Sequence, residues 1–280
     1  MTAQNYFTFP NIDPILFSLG EFNLFGFTIE PAVRWYGLMY LLGLLIGLLL
    51  LNRVADRSNG VWTREQVSDI AFQGFISAVL GGRIGYVIFY QFDRFIEDPA
   101  YLFAIQNGGM SFHGGLIGVL VAMLWYAKTH NRKYLAVIDL IAPYVPIGLG
   151  LGRIGNFING ELWGRTTDVP WAMIFPHVDN LPRHPSQLYQ FALEGVFLFI
   201  LLQWYKNKTT KVGSVSGMFM IGYGLSRIIV ETVREPDAHI GLHFNLFTHG
   251  QLLCIPMMLL GLYFIIRPHH AHLKNAKIKS

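Results

Sequence analysis

Cysteine is almost missing from this chain. Cys254 is the single one, which excludes an intrachain disulfide and any cysteine-built metal site. Charge is scarce too: Asp, Glu, Lys and Arg make up 14% of the residues, against about 25% in soluble domains. No GxSxG, HExxH or Walker A pattern occurs, so neither the serine-hydrolase elbow nor zinc-protease or P-loop machinery is indicated. The basic tail HLKNAKIKS at 272–280 is too short and too apolar to read as a nucleic-acid patch; it is juxtamembrane charge. The opening MTAQNYFTFPNIDP lacks a basic stretch followed by a short apolar core, so no cleavable leader is expected and later segments direct insertion. No low-complexity linker marks a second domain, and residues 1–280 read as one integral membrane domain.

What fills the chain is apolar. Hydrophobic residues reach 52% and aromatics 15%, with a positive mean hydropathy. Glycine, at 29 residues of 280, exceeds the usual share of about 7%, as expected where membrane helices approach closely. A spanning helix needs about 20 mostly apolar residues. Seven stretches qualify: 34–52, 67–90, 113–129, 134–158, 188–205, 215–233 and 249–267. The fold class is therefore all-α and polytopic, with seven transmembrane helices.

Charge sets the orientation. Arg53, Arg57 and Arg64 follow the first span, Lys128, Arg132 and Lys133 the third, Lys206, Lys208 and Lys211 the fifth, and Arg267, Lys274, Lys277 and Lys279 the seventh. The opposite side holds Arg94, Arg165, Arg183 and Arg234. Basic residues favour the cytoplasmic side, which puts the N-terminus outside and the C-terminus inside. Two outer segments stand apart. Residues 1–33 are rich in Phe and carry no Lys or Arg, and read as an interfacial segment. Residues 160–187 contain Pro170, Pro176, Pro182 and Pro185 and read as a small outer cap with a short strand or two.

Four arginines remain. Arg34 opens the first span from outside, and Arg83, Arg153 and Arg227 fall in the outer halves of the second, fourth and sixth spans. An arginine at the bilayer centre costs about 2.5–3.5 kcal/mol on insertion scales, so these need partners. One reading is structural pairing with Glu194 and Glu231 of the fifth and sixth spans. The other is an anion site in the outer leaflet, because guanidinium offers a planar fork of donors that fits phosphate. Asn156 shares a helix face with Arg153, and Asn159 continues it. Tyr223, Arg227, Glu231 and Arg234 fall at i, i+4, i+8 and i+11, on one stripe.

His113 stands at the outer mouth of the third span between glycines. It reads as an ordinary interfacial hydrogen-bonder or as a general base, the role imidazole commonly fills. His239, His243 and His249 are spaced loosely for a metal, but no acidic ligand joins them in a recognised pattern; they read as loop residues. His184 reads as a cap or orienting group for the fifth span, and Cys254 as packing. GGRIGYVIFY (81–90) echoes LGRIGNFING (151–160); shared local geometry explains this better than a repeat.

Taken together, RWYGLMY (34–40), GGRIGY (81–86), FHGGLIG (112–118), GRIGNFINGELWGR (152–165), HPSQLYQ (184–190) and YGLSRIIVETVREPD (223–237) resemble the motifs of the bacterial prolipoprotein diacylglyceryl transferase family. The resemblance runs over most of the chain. It implies a seven-span protein of the bacterial inner membrane, its N-terminus periplasmic and its active site toward the periplasmic leaflet. It implies transfer of the diacylglyceryl group of phosphatidylglycerol to the lipobox cysteine thiol of a prolipoprotein signal peptide. A thioether forms and glycerol phosphate leaves, in the first step of lipoprotein maturation. No metal or organic cofactor is implied. Carried over by motif, His113, Arg153, Arg227 and Tyr223 are expected to be catalytic. Tyr36, Arg83, Asn156, Asn159, Glu161, Gly164, Glu231 and Arg234 are expected to bind substrate. The rival reading is an anionic-lipid transporter or flippase, whose polar site would lie near the midplane; here the polar residues crowd the outer half.

Overall fold

The structure is a computed structural model and describes residues 6–24, 27–29, 31–104, 108–235, 242–243 and 247–267. The basic tail and His239 lie outside the described residues, and nothing is described of the His243 and His249 side chains.

Helices dominate, and each of the seven apolar stretches is occupied by one or more of them. They are α1 (Trp35–Arg57), α2 (Arg64–Tyr90), α3 (Phe92–Glu97), α4 (Phe112–Thr129), α5 (Tyr134–Ile141), α6 (Val145–Ile158), α7 (Ser186–Gln190), α8 (Leu198–Lys206), α9 (Ser214–Glu231) and α10 (His249–Ile266). A π-helical segment, Phe191–Phe197, joins α7 to α8. Among the described residues, α1, α2 and the continuous stretch Ser186–Lys206 are long and apolar enough to cross a membrane, and α5 with α6 qualifies as a fourth when taken as one interrupted span. The interruption at 142–144 holds Pro143, and Pro146 sits in the first turn of α6, where its missing N–H costs nothing. Many large apolar side chains face outward, among them Leu41, Leu45 and Leu49 on α1, Ile200 and Trp204 on α8, and Leu259 and Ile266 on α10. That arrangement is stable against hydrocarbon, where backbone groups must be satisfied within the helix.

The chain divides into two compact units, Met1–Gly47 with Ala142–His270, and Leu48–Ile141. In the second unit, α2 and α4 meet along glycine. A Cβ on Gly85 would lie 2.8 Å from Gly114 Cα, and one on Gly118 would lie 3.2 Å from Gly81 Cα. The two GxxxG spacings thus admit helix backbones into contact. Thr63 opens α2 with a capping box, its hydroxyl accepting from Gln66 N–H while the Gln66 side chain accepts from Thr63 N–H, and Ser111 accepts from Gly114 N–H at the start of α4.

In the first unit, α6 packs on the π segment, with a Cβ on Gly195 falling 2.8 Å from Gly150 Cα. On the N-terminal part of α1, Tyr36 and Tyr40 fill the space left by Gly155 and Gly152. Leu198, Leu202, Ala142 and Val215 form a buried core. The N-terminal residues and the 160–187 segment hold β structure that an all-α class leaves out. β1 (Phe7–Thr8) runs parallel to β6 (Met173–Ile174), which pairs antiparallel with β7 (Pro182–Arg183). β2 (Ile15–Ser18) pairs with β5 (Ala32–Arg34), and β3 (Phe22–Leu24) with β4 (Phe27–Ile29). The 160–187 segment therefore has its two short strands, and the N-terminal residues supply the third.

Candidate functional site

The site is built on α6, the π segment and the end of α9. Arg153 projects from α6, Glu194 from the π segment, and Arg227 and Glu231 from successive turns of α9. Arg153 donates through Nε and Nη2 to Glu194 Oε2, at 3.2 and 3.1 Å. The other oxygen of Glu194 lies 3.6 Å from Arg227 Nη1, and Arg227 Nη2 pairs with Glu231 Oε1. The same Glu231 oxygen accepts from Arg234 Nη1 at 3.1 Å. The result is an alternating ladder, Arg153–Glu194–Arg227–Glu231–Arg234. Sequence spacing puts Arg234 on the helical stripe; the helix in fact ends at Glu231, and Arg234 follows in the turn, still in reach of it.

The pairing half of the sequence expectation is thus realised, but it does not exhaust the arginines. Three guanidiniums face two carboxylates in the ladder, leaving one net positive charge. The carboxylates are sealed, with Glu194 0% and Glu231 2% exposed, while the Arg153 and Arg227 side chains keep 18% and 15% exposure. An anion approaching the ladder therefore meets guanidinium first. Arg153 Nη1 reaches only the Asn156 carbonyl, at 3.5 Å, a contact too long to count as a strong bond.

Asn156 links Arg153 to further polar side chains. Asn156 and Asn159 donate to the same Glu161 oxygen at 2.8 and 3.3 Å, so Glu161 sits beside the ladder, held by amides and outside its direct ion pairs. Tyr36 bonds Tyr40 hydroxyl to hydroxyl at 3.1 Å and packs on Gly155, two residues beyond Arg153. Tyr223 stacks on Phe219, one turn before Arg227 on α9. Gly164 has a packing role: a Cβ there would sit 2.6 Å from both His184 Cβ and Val233 O. Its N–H donates to His184 O, and Arg165 N–H donates to Val233 O, which ties the 160–187 segment to the end of α9. In the cap itself, Arg183 holds the Asp179 carboxyl below its ordinary value through a direct hydrogen bond. Burial pushes the His184 imidazole down, and its Nδ1 meets Tyr189 Oη at 3.1 Å.

With that geometry in hand, comparison with known proteins is decisive. Residues 24–267 match the prolipoprotein diacylglyceryl transferase family. This chain belongs to that family. A phosphatidylglycerol–prolipoprotein diacylglyceryl transferase of Shewanella oneidensis is 64% identical over 260 residues, 93% of this chain and 97% of the relative. Proteins of the same description from Vibrio cholerae and Vibrio vulnificus are 57% and 58% identical, over 94% and 93% of this chain and 94% and 93% of those relatives.

Of the residues the family motifs single out, Tyr36, Asn156, Asn159, Glu161, Gly164, Tyr223, Glu231 and Arg234 gather in the first unit with Arg153 and Arg227. Two lie in the second unit. His113 is exposed at the second position of α4, its ring edge-on to Phe112. Arg83 is 2% exposed and gives its donors to backbone: Nε to Leu102 O at 3.0 Å, Nη1 to Gly108 O at 2.7 Å, and Nη2 to Tyr101 O. Its guanidinium also stacks 4.7 Å from the Tyr101 ring centroid. No carboxylate is among these partners. Sequence reasoning reached Glu194 only as a charge partner, whereas it bridges the arginines of two separate helices, Arg153 and Arg227. It passed over Gln187 and Gln190, although two amides and a carboxylate in so apolar a stretch are a readable signal.

Proposed function

We propose that the arginine–glutamate ladder grips the phosphodiester of phosphatidylglycerol while this chain moves the lipid's diacylglyceryl group to a prolipoprotein cysteine. The activity follows from family membership and from relatives 57–64% identical over more than nine-tenths of the chain. The observation that carries the site assignment is the ladder's composition, three guanidiniums shared between two sealed carboxylates with the exposed face cationic.

The chemistry asks for three things. A thiol titrates near 8.5 and reacts as thiolate, so a base must take its proton. His113 is that base by family motif. The thiolate attacks the glyceryl carbon that carries the phosphate ester, the C–S bond forms, and the C–O bond breaks with its electron pair going to phosphate. Arg153 and Arg227 stabilise the charge where it grows, and exclusion of water strengthens them. Glu194 and Glu231 hold the two guanidiniums in register, and Asn156, Glu161, Tyr36 and Tyr223 fix the headgroup side of Arg153. Gly164 and Arg234 brace the ladder from the cap. Arg83 serves the second unit as a clasp on the carbonyls of Tyr101, Leu102 and Gly108 instead of a ligand group. Cys254 is buried and takes no covalent part.

The same reading places the chain in the bacterial inner membrane with seven spans, periplasmic N-terminus, cytoplasmic C-terminus and an active site toward the outer leaflet. Support comes from helices at all seven stretches and from the basic bias between them. Purified protein incubated with glycerol-labelled phosphatidylglycerol and a lipobox peptide should yield thioether-linked peptide and free glycerol phosphate. A protein that moves the lipid between leaflets but leaves both molecules intact would be the transporter instead.

A further inference from the structure

We infer that Gln190 reads the hydroxyl groups of the lipid's terminal glycerol. This rests on the assignment of the phosphodiester to Arg153 and Arg227.

Gln187, Gln190 and Glu194 stand at i, i+3 and i+7 on one face of α7 and the π segment, and all three are 0% exposed. The two ends of this polar stripe are tied down. Gln187 Nε2 donates to Glu161 O at 2.6 Å, and Glu194 accepts from Arg153. The stripe is thereby turned toward α6 and the loop that follows it, where Asn156 and Glu161 sit. Between the two anchors, Gln190 has neither amide atom satisfied: both Nε2 and Oε1 are buried without a partner, as is the Oε1 of Gln187. Interiors rarely leave such groups unpaired, and Leu or Met at this position would pack in an apolar helix without that penalty.

The chemistry of the vacant pair identifies what fills it. An amide offers one strong donor group and one acceptor side by side, and a hydroxyl both donates and accepts. An ammonium headgroup has no acceptor to meet the amide N–H. A glycerol esterified to a phosphate on Arg153 carries two hydroxyls outward from that phosphate. Gln190 is one turn from Glu194, about 5.4 Å in axial rise, comparable to the length of a glycerol unit. The π segment begins at the next residue, Phe191. Such segments concentrate at functional sites, and the wide turn keeps Glu194 in line with Gln190.

The test uses the full-length enzyme in detergent micelles with two lipids, phosphatidylglycerol and phosphatidylpropanol, which has the same phosphodiester and no headgroup hydroxyl. The KM for the first and the inhibition constant of the second as a competitor are measured for wild type, Gln190→Met and Gln190→Leu. We expect the wild type to prefer phosphatidylglycerol, and both variants to raise its KM about tenfold, the worth of a lost hydrogen bond. The inhibition constant of phosphatidylpropanol should stay where it was. Because the variants delete groups left unsatisfied in the ligand-free fold, their melting temperature should equal or exceed that of wild type. Constants that move together, constants that do not move at all, or a fall in melting temperature would each overturn the assignment. Arg153→Gln separates the two readings, since it should weaken both lipids alike. If it affects neither, the phosphate site is wrong whatever Gln190 does.

Discussion

At the residue scale, function turns on what each guanidinium has left to give. Arg153 spends two donors on Glu194 and keeps Nη1 near Asn156, so it can take a new oxygen without breaking its anchor. Replacing it by Gln should lower kcat about a hundredfold, the effect of deleting one donor aimed at a developing oxyanion, or about 3 kcal/mol. A steady-state transfer assay measures this. The variant's KM should rise as well, because the same guanidinium holds the phosphodiester; a rise in KM with kcat unchanged would mean that Arg153 binds the ground state only. His113→Gln should abolish most turnover in purified enzyme with little change in lipid affinity. A variant that lipidates at the normal rate would remove His113 as the proton acceptor.

At the scale of elements, the ladder depends on glycine. Arg153 and Glu194 can bond because Gly150 and Gly195 let α6 and the π segment come into backbone contact, leaving 2.8 Å for a Cβ that is not there. Gly195→Val should cost about 1–3 kcal/mol by overpacking and pull Glu194 off Arg153. Melting temperature and turnover should fall together, while Ala192→Val, on the exposed side of the same segment, should leave both near wild type. The helices were legible in the sequence because their apolar runs are long. The π geometry was not legible. It adds a residue to the turn without a composition of its own. The strands at 173–174 and 182–183 were foreseen in kind. Their partner at 7–8 was not, because a two-residue strand has no periodicity to read.

At the scale of the whole molecule, the membrane reading makes a sidedness prediction. In a Cys254→Ser background, which should remain active because that thiol is buried, single cysteines can be placed at Asn59 and Asn180, both exposed. An impermeant maleimide applied to spheroplasts should label the Asn180→Cys protein at once, and the Asn59→Cys protein only after the membrane is opened. The reverse pattern would invert the topology and move the cationic face of the ladder to the wrong leaflet.

Composition alone determined that this chain lives in lipid, since so little charge and so much apolar length cannot fold in water. Spacing determined that Tyr223, Arg227 and Glu231 would share one stripe of a helix, and the family motifs followed from local sequence. Only the tertiary structure separated Arg83 from Arg153, two residues inside nearly identical RIG motifs. In both, a glycine two residues on admits a neighbouring element, Gly114 beside Gly85 and Tyr36 beside Gly155. What lies across from each arginine differs: a loop of carbonyls satisfies Arg83, and a single shared carboxylate leaves Arg153 with donors to spare. A local motif carries no information about the element folded against it, and that element decides whether a buried cation is a clasp or a binding group.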